Sequence, residues 1–249
     1  MFGAPEFDVC AFGAHPDDVE IACGGTMAKL ADKKHRIAII SLTQGELGTR
    51  GSKELRAEEF ASAAQILGAE LSTSLDIPDG QISNTQVNRL KIIKEIRAQR
   101  PRVVFVHHWE ARHPDHQHAS EVVKDAVFLA GLKQIDTGQK PWRPFKIIYY
   151  ANRFEFTPSF IVDISAHFDT KMRSLYAYSS QFHDPNKKNQ SEAETAISHP
   201  LFIKSIETRA LQYGTYLGVK YGEPFLVREP INIDNPVQLF DEKNWVAVP

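Results

Sequence analysis

Short apolar segments alternate with longer amphipathic ones through most of this 249-residue chain, and this alternation most constrains its fold. Three apolar segments, each followed by a turn or a polar stretch, have the composition of strands buried on both faces. They are Val9–Phe12, Ile37–Leu42 and Val103–Val106. Strands separated by helices favour the α/β class, with a mainly parallel sheet covered by helices on both faces.

Helix signals lie between and after these strands. The segment Ser52–Leu67 has a candidate N-cap in Ser52, and Gly68 stands where a C-cap glycine is common. A second helix, Gln86–Gln99, ends before Pro101. Further helices are predicted at Gly24–Lys34, Gln117–Leu132, Phe168–Tyr178 and Pro200–Leu217, and further strands at Ile147–Tyr150 and Ile161–Ile164.

No repeat or linker divides the sequence, so we expect one domain over residues 1–249. Residues 183–198 are polar and predict an exposed loop. From about residue 228 onward, three prolines predict an extended tail. Residues 1–6 lack the basic start and the long apolar centre of a signal peptide.

The composition of the chain limits the kinds of molecule that it is expected to bind. The chain carries 29 Lys and Arg against 31 Asp and Glu, so its net charge of −2 predicts neither nucleic acid nor an acidic membrane surface as a partner. No stretch approaches the roughly 18 apolar residues of a transmembrane helix. Cys10 and Cys23 are too few for a disulfide framework, and reduced, buried thiols fit a cytoplasmic protein.

Two short blocks rich in histidine and aspartate carry the strongest chemical signal. Residues 15–20 read HPDDVE and residues 113–116 read HPDH, and each block follows a predicted strand. Since ligands bind beyond the carboxyl ends of parallel strands, we expect the two blocks to share a site. Two histidines and one carboxylate form a minimal site for a divalent metal with an open position. The sequence therefore indicates a metal-dependent hydrolase.

Within the first block, neighbouring residues point in different directions, so Asp17 and Asp18 cannot easily perform the same task. His15 and Asp18 can converge on one ion, which leaves Asp17 as a candidate general base for the attacking water. The alternative is that one aspartate only caps the following helix. The preceding histidine and the second block favour the catalytic interpretation.

In the second block, Pro114 suits the first turn of a helix because its missing N–H is not needed there. His113 would then stand at the helix entry, and His116, three residues on, would face a similar side. Asp115 could orient one of these histidines through its ring N–H. The other histidines, His107 among them, fit no such pattern and are interpreted as core, rim or surface residues.

A glycine-rich segment, residues 43–51 (TQGELGTRG), follows the second predicted strand and should reach the same edge of the sheet. Its glycines allow a ligand to approach the backbone closely. Arg50 and Arg56 can offer forked donors to a carboxylate or to sugar oxygens. For Arg56, an ordinary ion pair with Glu58 or Glu59 on the helix surface is the alternative.

The two blocks together resemble the LmbE-like family of zinc-dependent N-acetylglucosaminyl deacetylases. Further short matches look like the bacillithiol-biosynthesis branch, which removes acetyl from N-acetylglucosaminyl-malate. These matches are GGT at 24–26, GELGTRG at 45–51, RAEE at 56–59, PDG at 78–80 and YSSQF at 178–182. Ser179 stands where close relatives of this branch are expected to have lysine, a departure that bears on specificity more than on chemistry.

The resemblance implies a Rossmann-like, three-layer fold with zinc held by His15, Asp18 and His116, although Fe²⁺ or Co²⁺ could fill the same ligands. It implies that Asp17 is the general base. It also implies that His113 stabilises the oxyanion or protonates the leaving amine.

The same resemblance implies that Asp115 orients His113, that Arg56 binds the acidic part of the substrate, and that Arg112 lines the pocket. The implied partner is a small-molecule amino sugar, and this branch commonly forms homo-oligomers, often hexamers.

Several alternatives remain open at this level. The substrate could be another conjugate of N-acetylglucosamine, such as a mycothiol-type precursor or a chitin oligomer. Two histidines and a carboxylate also form the triad of non-haem iron oxygenases, although that chemistry needs no second aspartate. A catalytically silent module that binds metal or sugar would need neither Asp17 nor His113.

Overall fold

The protein is described from a computed structural model, which covers residues 3–183 and 194–239. Within these residues the central feature is a parallel sheet whose strand order is β3-β2-β1-β4-β5. Its strands are β1 (Val9–Gly13), β2 (Ile37–Ser41), β3 (Leu71–Ser74), β4 (Val103–His107) and β5 (Lys146–Tyr150). A separate antiparallel pair consists of β6 (Phe160–Asp163) and β7 (Gly222–Phe225).

Helices cover both faces of the sheet, as the sequence predicted. They are α1 (Asp18–Asp32), α2 (Lys53–Ile66), α3 (Gln86–Gln99), α4 (Pro114–Ala130), α5 (Phe168–Ala177), α6 (Pro200–Thr215) and α7 (Pro236–Leu239). Alternate residues of one strand face different cores: Phe12 packs with α3 and α4, whereas Ala11 packs with α1, α2 and α5. The three-layer α/β fold is therefore confirmed.

The two central strands, β1 and β4, lie side by side, with Val9 paired to Val103. The chain leaves β1 into α1 on one face of the sheet and leaves β4 into α4 on the other. Such a reversal of direction opens a crevice at the carboxyl edge, the usual ligand site of an open α/β sheet. Both histidine blocks begin at this point.

Two strands were not predicted, and the reasons are local. β3 has the sequence LSTS, which lacks the apolar run of its neighbours because it is a half-buried edge strand. β7 has the sequence GEPF, in which glycine and proline argue against a strand. In addition, α1 begins at Asp18 rather than Gly24, with a break in its helical geometry at Cys23.

The predicted loop at 183–198 lies mostly outside the described residues, and residues 194–199 lead irregularly into α6. The tail from 228 is irregular and exposed as far as 235, but the single turn of α7 follows, so the prediction of a wholly extended tail is wrong there. Within the described ranges, no helix combines the length and the apolar composition needed to cross a membrane.

The break in α1 creates a second helix start, and a buried carboxylate binds it. Glu223 on β7 accepts from the backbone N–H groups of Gly25 at 3.0 Å and Thr26 at 2.7 Å. Lys171 on α5 contacts the same carboxylate at 2.5 Å, and both charged side chains are nearly fully buried. This pair connects α1, α5 and β7.

Replacing Lys171 with methionine should destabilise the fold, because it leaves the charge of Glu223 buried without its cation. We expect the free energy of unfolding, measured by urea titration, to fall by about 3–5 kcal/mol. The control is Lys146→Met, which breaks the exposed pair with Glu229 and should cost about 1 kcal/mol or less. Equal losses in the two variants would contradict the structural role of the buried pair.

Candidate active site and metal centre

The first block turns sharply as it leaves β1. A Cβ on Gly13 would lie 2.9 Å from the backbone oxygen of His15, so only glycine allows the chain to fold back here. Asp17, at the N-cap of α1, has φ 115°, a strained value for a residue with a side chain. Its carboxylate makes no capping hydrogen bond, so the interpretation of Asp17 as a helix cap is wrong.

Asp18 lies at the centre of the cluster and is almost fully buried. Its Oδ1 lies 3.1 Å from Nε2 of His116. Its Oδ2 accepts from the backbone N–H of His15 at 2.8 Å and lies 3.4 Å from Nδ1 of the same residue. The structure thus brings the predicted ligands His15, Asp18 and His116 together.

Charge around Asp18 is balanced by histidine. Burial alone would raise the pKa of Asp18, but the neighbouring His116 and His107 hold it well below its ordinary value of 3.8. A carboxylate that stays ionised in a buried position is suited to bind a cation.

Two carboxylates contact the ring of His15 at Nε2. Its Nε2 lies 3.0 Å from Oδ1 of Asp79 and 3.3 Å from Oδ2 of Asp115. Burial lowers the pKa of His15, but these hydrogen bonds, together with Asp18, raise it well above 6.5. A histidine fixed in this way presents its other nitrogen, Nδ1, toward Asp18, which is a common support for a metal ligand.

The structure corrects the role expected for Asp115. Its carboxylate contacts His15 and the backbone N–H of Gly80, the latter at 2.8 Å, rather than the ring of His113. Instead, Nδ1 of His113 accepts from the backbone N–H of Asp115 at 3.2 Å. This contact arises because His113 is the N-cap of α4, with Pro114 in the first turn as predicted.

The cap has a chemical consequence for His113. Because Nδ1 accepts a hydrogen bond, the proton of the neutral ring belongs on Nε2. Burial lowers the pKa of this histidine, which favours the neutral form. His113 is therefore able to donate one N–H from the side of the cluster.

His107, which the sequence did not single out, is a member of the cluster. Its Nε2 lies 3.1 Å from Oδ2 of Asp18 and 3.1 Å from the backbone nitrogen of Ala14, and burial lowers its pKa to about 4. The one sequence signal that could have identified His107 was its position, because it is the last residue of β4, the strand beside β1. Asp79 was missed as a site residue because PDG at 78–80 was cited only as a match to the bacillithiol branch, with no role given to its aspartate.

The clustered side chains fit a metal ion. Among the described residues, three overlapping sets place possible ligand atoms within 4.8 Å of one another. They are His15, His113 and His116; Asp18, His107 and His116; and His15, Asp79 and Asp115. Imidazole nitrogens with carboxylate oxygens form the donor set that zinc commonly takes.

Asp17 belongs to none of these sets, and its carboxylate contacts Arg56 instead. Nη2 of Arg56 lies 3.4 Å from Oδ2 of Asp17 and donates to the backbone oxygen of Pro16 at 2.6 Å. Burial raises the pKa of Asp17 to about 7, and the charge of Arg56 opposes that shift. A carboxylate with this pKa is a suitable general base near neutral pH.

The alternative for Arg56, a surface pair with Glu58 or Glu59, is wrong because Arg56 is buried and contacts Asp17. Glu59 binds the 178–182 segment instead, accepting from the hydroxyl of Ser179 at 3.0 Å. Ser179 is thus engaged with α2 and does not line the cavity described below, so the expected influence on specificity has no direct contact to support it.

An open cavity of about 1610 Å³ surrounds the cluster. Arg56 and Arg112 line it as predicted, and Arg112 is exposed to solvent. Arg50 is buried and lies outside the lining of this cavity, which corrects its expected role as a substrate contact. Residues of α6 form part of the cavity wall. The volume of the cavity is larger than a single sugar requires.

Comparison with known proteins agrees with this geometry. A model of the PIG-L family, described as GlcNAc-PI de-N-acetylase, matches residues 10–127, which include both histidine blocks. The diacetylchitobiose deacetylase of Thermococcus kodakarensis is 31% identical over 84% of this chain and 78% of its own length. The chain belongs to the PIG-L/LmbE-like deacetylase family.

Further similar proteins agree with this assignment. The 1D-myo-inositol 2-acetamido-2-deoxy-alpha-D-glucopyranoside deacetylase of Segniliparus rotundus is 30% identical over 55% of each chain. A conserved protein from Thermus thermophilus has a crystal structure that superposes with a TM-score of 0.82 and 36% identity, covering 91% of this chain and 97% of its own. As a PIG-L/LmbE-like deacetylase, the protein is a hydrolase of N-acetyl amide bonds.

Replacing Arg56 with methionine should move the acidic limb of the pH profile of kcat/KM to higher pH. The base must be ionised to act, and loss of the neighbouring positive charge raises the pKa of Asp17, by about one unit or more. The matched control is Arg56→Lys, which keeps the charge and should show a smaller shift. An unchanged acidic limb in Arg56→Met would argue against Asp17 as the base.

Proposed function

We propose that this protein is a zinc-dependent hydrolase that removes the acetyl group from a conjugate of N-acetylglucosamine, with N-acetylglucosaminyl-malate as the substrate. The observation that carries the proposal is the pairing of Asp17, buried and held by Arg56, with the adjacent donor cluster around Asp18. Binding alone would not require a strained, buried carboxylate beside the ligands. The named substrates of the two deacetylase relatives also contain N-acetylglucosamine or its derivative.

The proposed reaction assigns one task to each side chain. When bound, zinc supplies a Lewis acid for the acetyl carbonyl and lowers the pKa of water toward about 7. Asp17 accepts the proton of the attacking water, and Arg56 keeps its carboxylate ionised and in place. His113 donates a hydrogen bond from its Nε2–H to the oxyanion. Asp17 returns the proton it took from water to the leaving amine, while Asp79 and Asp115 hold His15 in its orientation.

The cavity wall supports an acidic conjugate. Arg112 and Arg153 line the cavity and are exposed, and neither forms an ion pair with any other described residue. Their guanidinium groups can bind the carboxylates of malate in a forked geometry. A neutral chitin oligomer or an inositol conjugate, the alternatives suggested by relatives, would leave these charges without partners.

Three further aspects belong to the proposal. Fe²⁺ or Co²⁺ could occupy the same ligands in place of zinc. A small amino-sugar substrate and the absence of a membrane-spanning helix among the described residues are consistent with a cytoplasmic enzyme. A homo-oligomer, on the hexameric pattern of the resembling branch, is proposed by analogy alone.

The substrate proposal is tested by incubating the zinc-loaded protein with N-acetylglucosaminyl-malate and, separately, with N-acetylglucosamine. We expect rapid release of acetate from the malate conjugate and little from the free sugar. Arg112→Met should raise KM for the conjugate about tenfold or more, because a hydrogen bond to a charged group is lost, and should leave the free sugar unaffected. Equal release of acetate from both compounds would contradict malate as part of the substrate, but it would remain consistent with deacetylase chemistry.

Asp17→Asn should abolish most of the activity without loss of metal. Asparagine tolerates the positive φ at this position, but it cannot accept the proton, so kcat should fall by about 10²–10⁴-fold. Metal content, measured by atomic emission, should match that of the unmodified protein. Near-normal turnover in this variant would show that another group is the base.

A further inference from the structure

Asn152 makes the shortest side-chain contact with Asp18 among the described residues. Its Nδ2 donates to Oδ1 of Asp18 at 2.7 Å, closer than the 3.1 Å between that oxygen and His116. The opposite oxygen, Oδ2, accepts from the backbone N–H of His15 and lies 3.1 Å from Nε2 of His107. Asn152 thus completes a set of contacts that fixes both oxygens of the carboxylate.

The position of Asn152 follows from the sheet. It stands two residues after the end of β5, which pairs with β4, so it reaches the same carboxyl edge as the two histidine blocks. The orientation of its amide is set by charge, since an ionised carboxylate accepts from the NH₂ group and repels the amide oxygen. Sequence spacing gave no hint of this contact, because Asn152 belongs to neither block.

The amide oxygen of Asn152, Oδ1, is the other polar atom of this side chain. Oδ1 is buried and has no hydrogen-bond partner among the described residues. Buried polar atoms normally find partners, and one left unpaired is unfavourable. The side chain therefore keeps its contact with Asp18 while its own acceptor has no partner among the described residues.

Arg209 holds the backbone of Asn152 from the other side. Nη1 of Arg209, on α6, donates to the backbone oxygen of Asn152. Arg209 forms no ion pair with a carboxylate among the described residues, and burial lowers its pKa. The guanidinium of Arg209 therefore binds a backbone carbonyl beside the site, and Arg209 lines the cavity.

We propose that Asn152 is a positioning residue for the metal ligand Asp18, and that Arg209 fixes the Asn152 peptide so that α6 supports the metal centre. The inference rests on the proposed metal site. Groups that orient a ligand from behind commonly contribute 10–100-fold to metal affinity. Arg209 is therefore assigned to the metal centre through Asn152, although it also lines the substrate cavity.

The test measures Zn²⁺ affinity by competition with a chromophoric chelator, and coordination by the visible absorption of the Co²⁺-substituted protein. The variants are Asn152→Leu, which keeps the branched shape without a donor, Asn152→Ala, Arg209→Met and Arg209→Lys. Lys204→Met is the matched control, since Lys204 lies on α6 in the same cavity wall and is not hydrogen-bonded to Asn152. Circular dichroism verifies that each variant is folded.

We expect Asn152→Leu and Asn152→Ala to weaken Zn²⁺ binding by about 10–100-fold and to change the Co²⁺ spectrum. Arg209→Met should cause a smaller loss that Arg209→Lys partly restores, and Lys204→Met should match the unmodified protein. Unchanged affinity and spectrum in the Asn152 variants would overturn the inference. Unchanged affinity in Arg209→Met alone would overturn the part assigned to α6. An unmodified protein that binds no Zn²⁺ would instead overturn the proposed function.

Discussion

The ionised carboxylate of Asp18, buried at the carboxyl edge of the sheet, is the interaction on which the site depends. Burial penalises its charge, and the neighbouring histidines, the backbone N–H of His15 and the amide of Asn152 offset that penalty. Those partners come from the turn after β1, the end of β4, the start of α4 and the segment after β5. The fold must therefore place four separate segments within hydrogen-bond distance of one side chain.

Much of the fold was predictable because its signals are local. Buried parallel strands read as apolar runs, and the helices carry caps such as Ser52, whose hydroxyl accepts from the N–H of Leu55 as predicted. Pro114 in the first turn of α4 also follows from its own chemistry. Strand order could not be predicted in this way, but the neighbouring positions of β1 and β4 explain why both histidine blocks meet.

What the sequence missed depends on contacts between residues far apart in the chain. His107, Asp79 and Asn152 each reach the cluster across many residues, so no spacing rule connects them to a motif. The role of Asp115 was wrong for a related reason. His113 stands two residues before Asp115 in the sequence, but the geometry of the helix start places its carboxylate against His15.

The central claim is that one metal ion binds His15, Asp18 and His116, a combination that none of the three overlapping ligand sets found among the described residues contains in full. Anomalous diffraction at the zinc edge, from crystals of the zinc-loaded protein, distinguishes these sets directly. Our account predicts one strong peak at about 2.0–2.2 Å from a nitrogen of each histidine and an oxygen of Asp18. A peak within bonding distance of His107, or of Asp79 and Asp115 but not of Asp18, would contradict it.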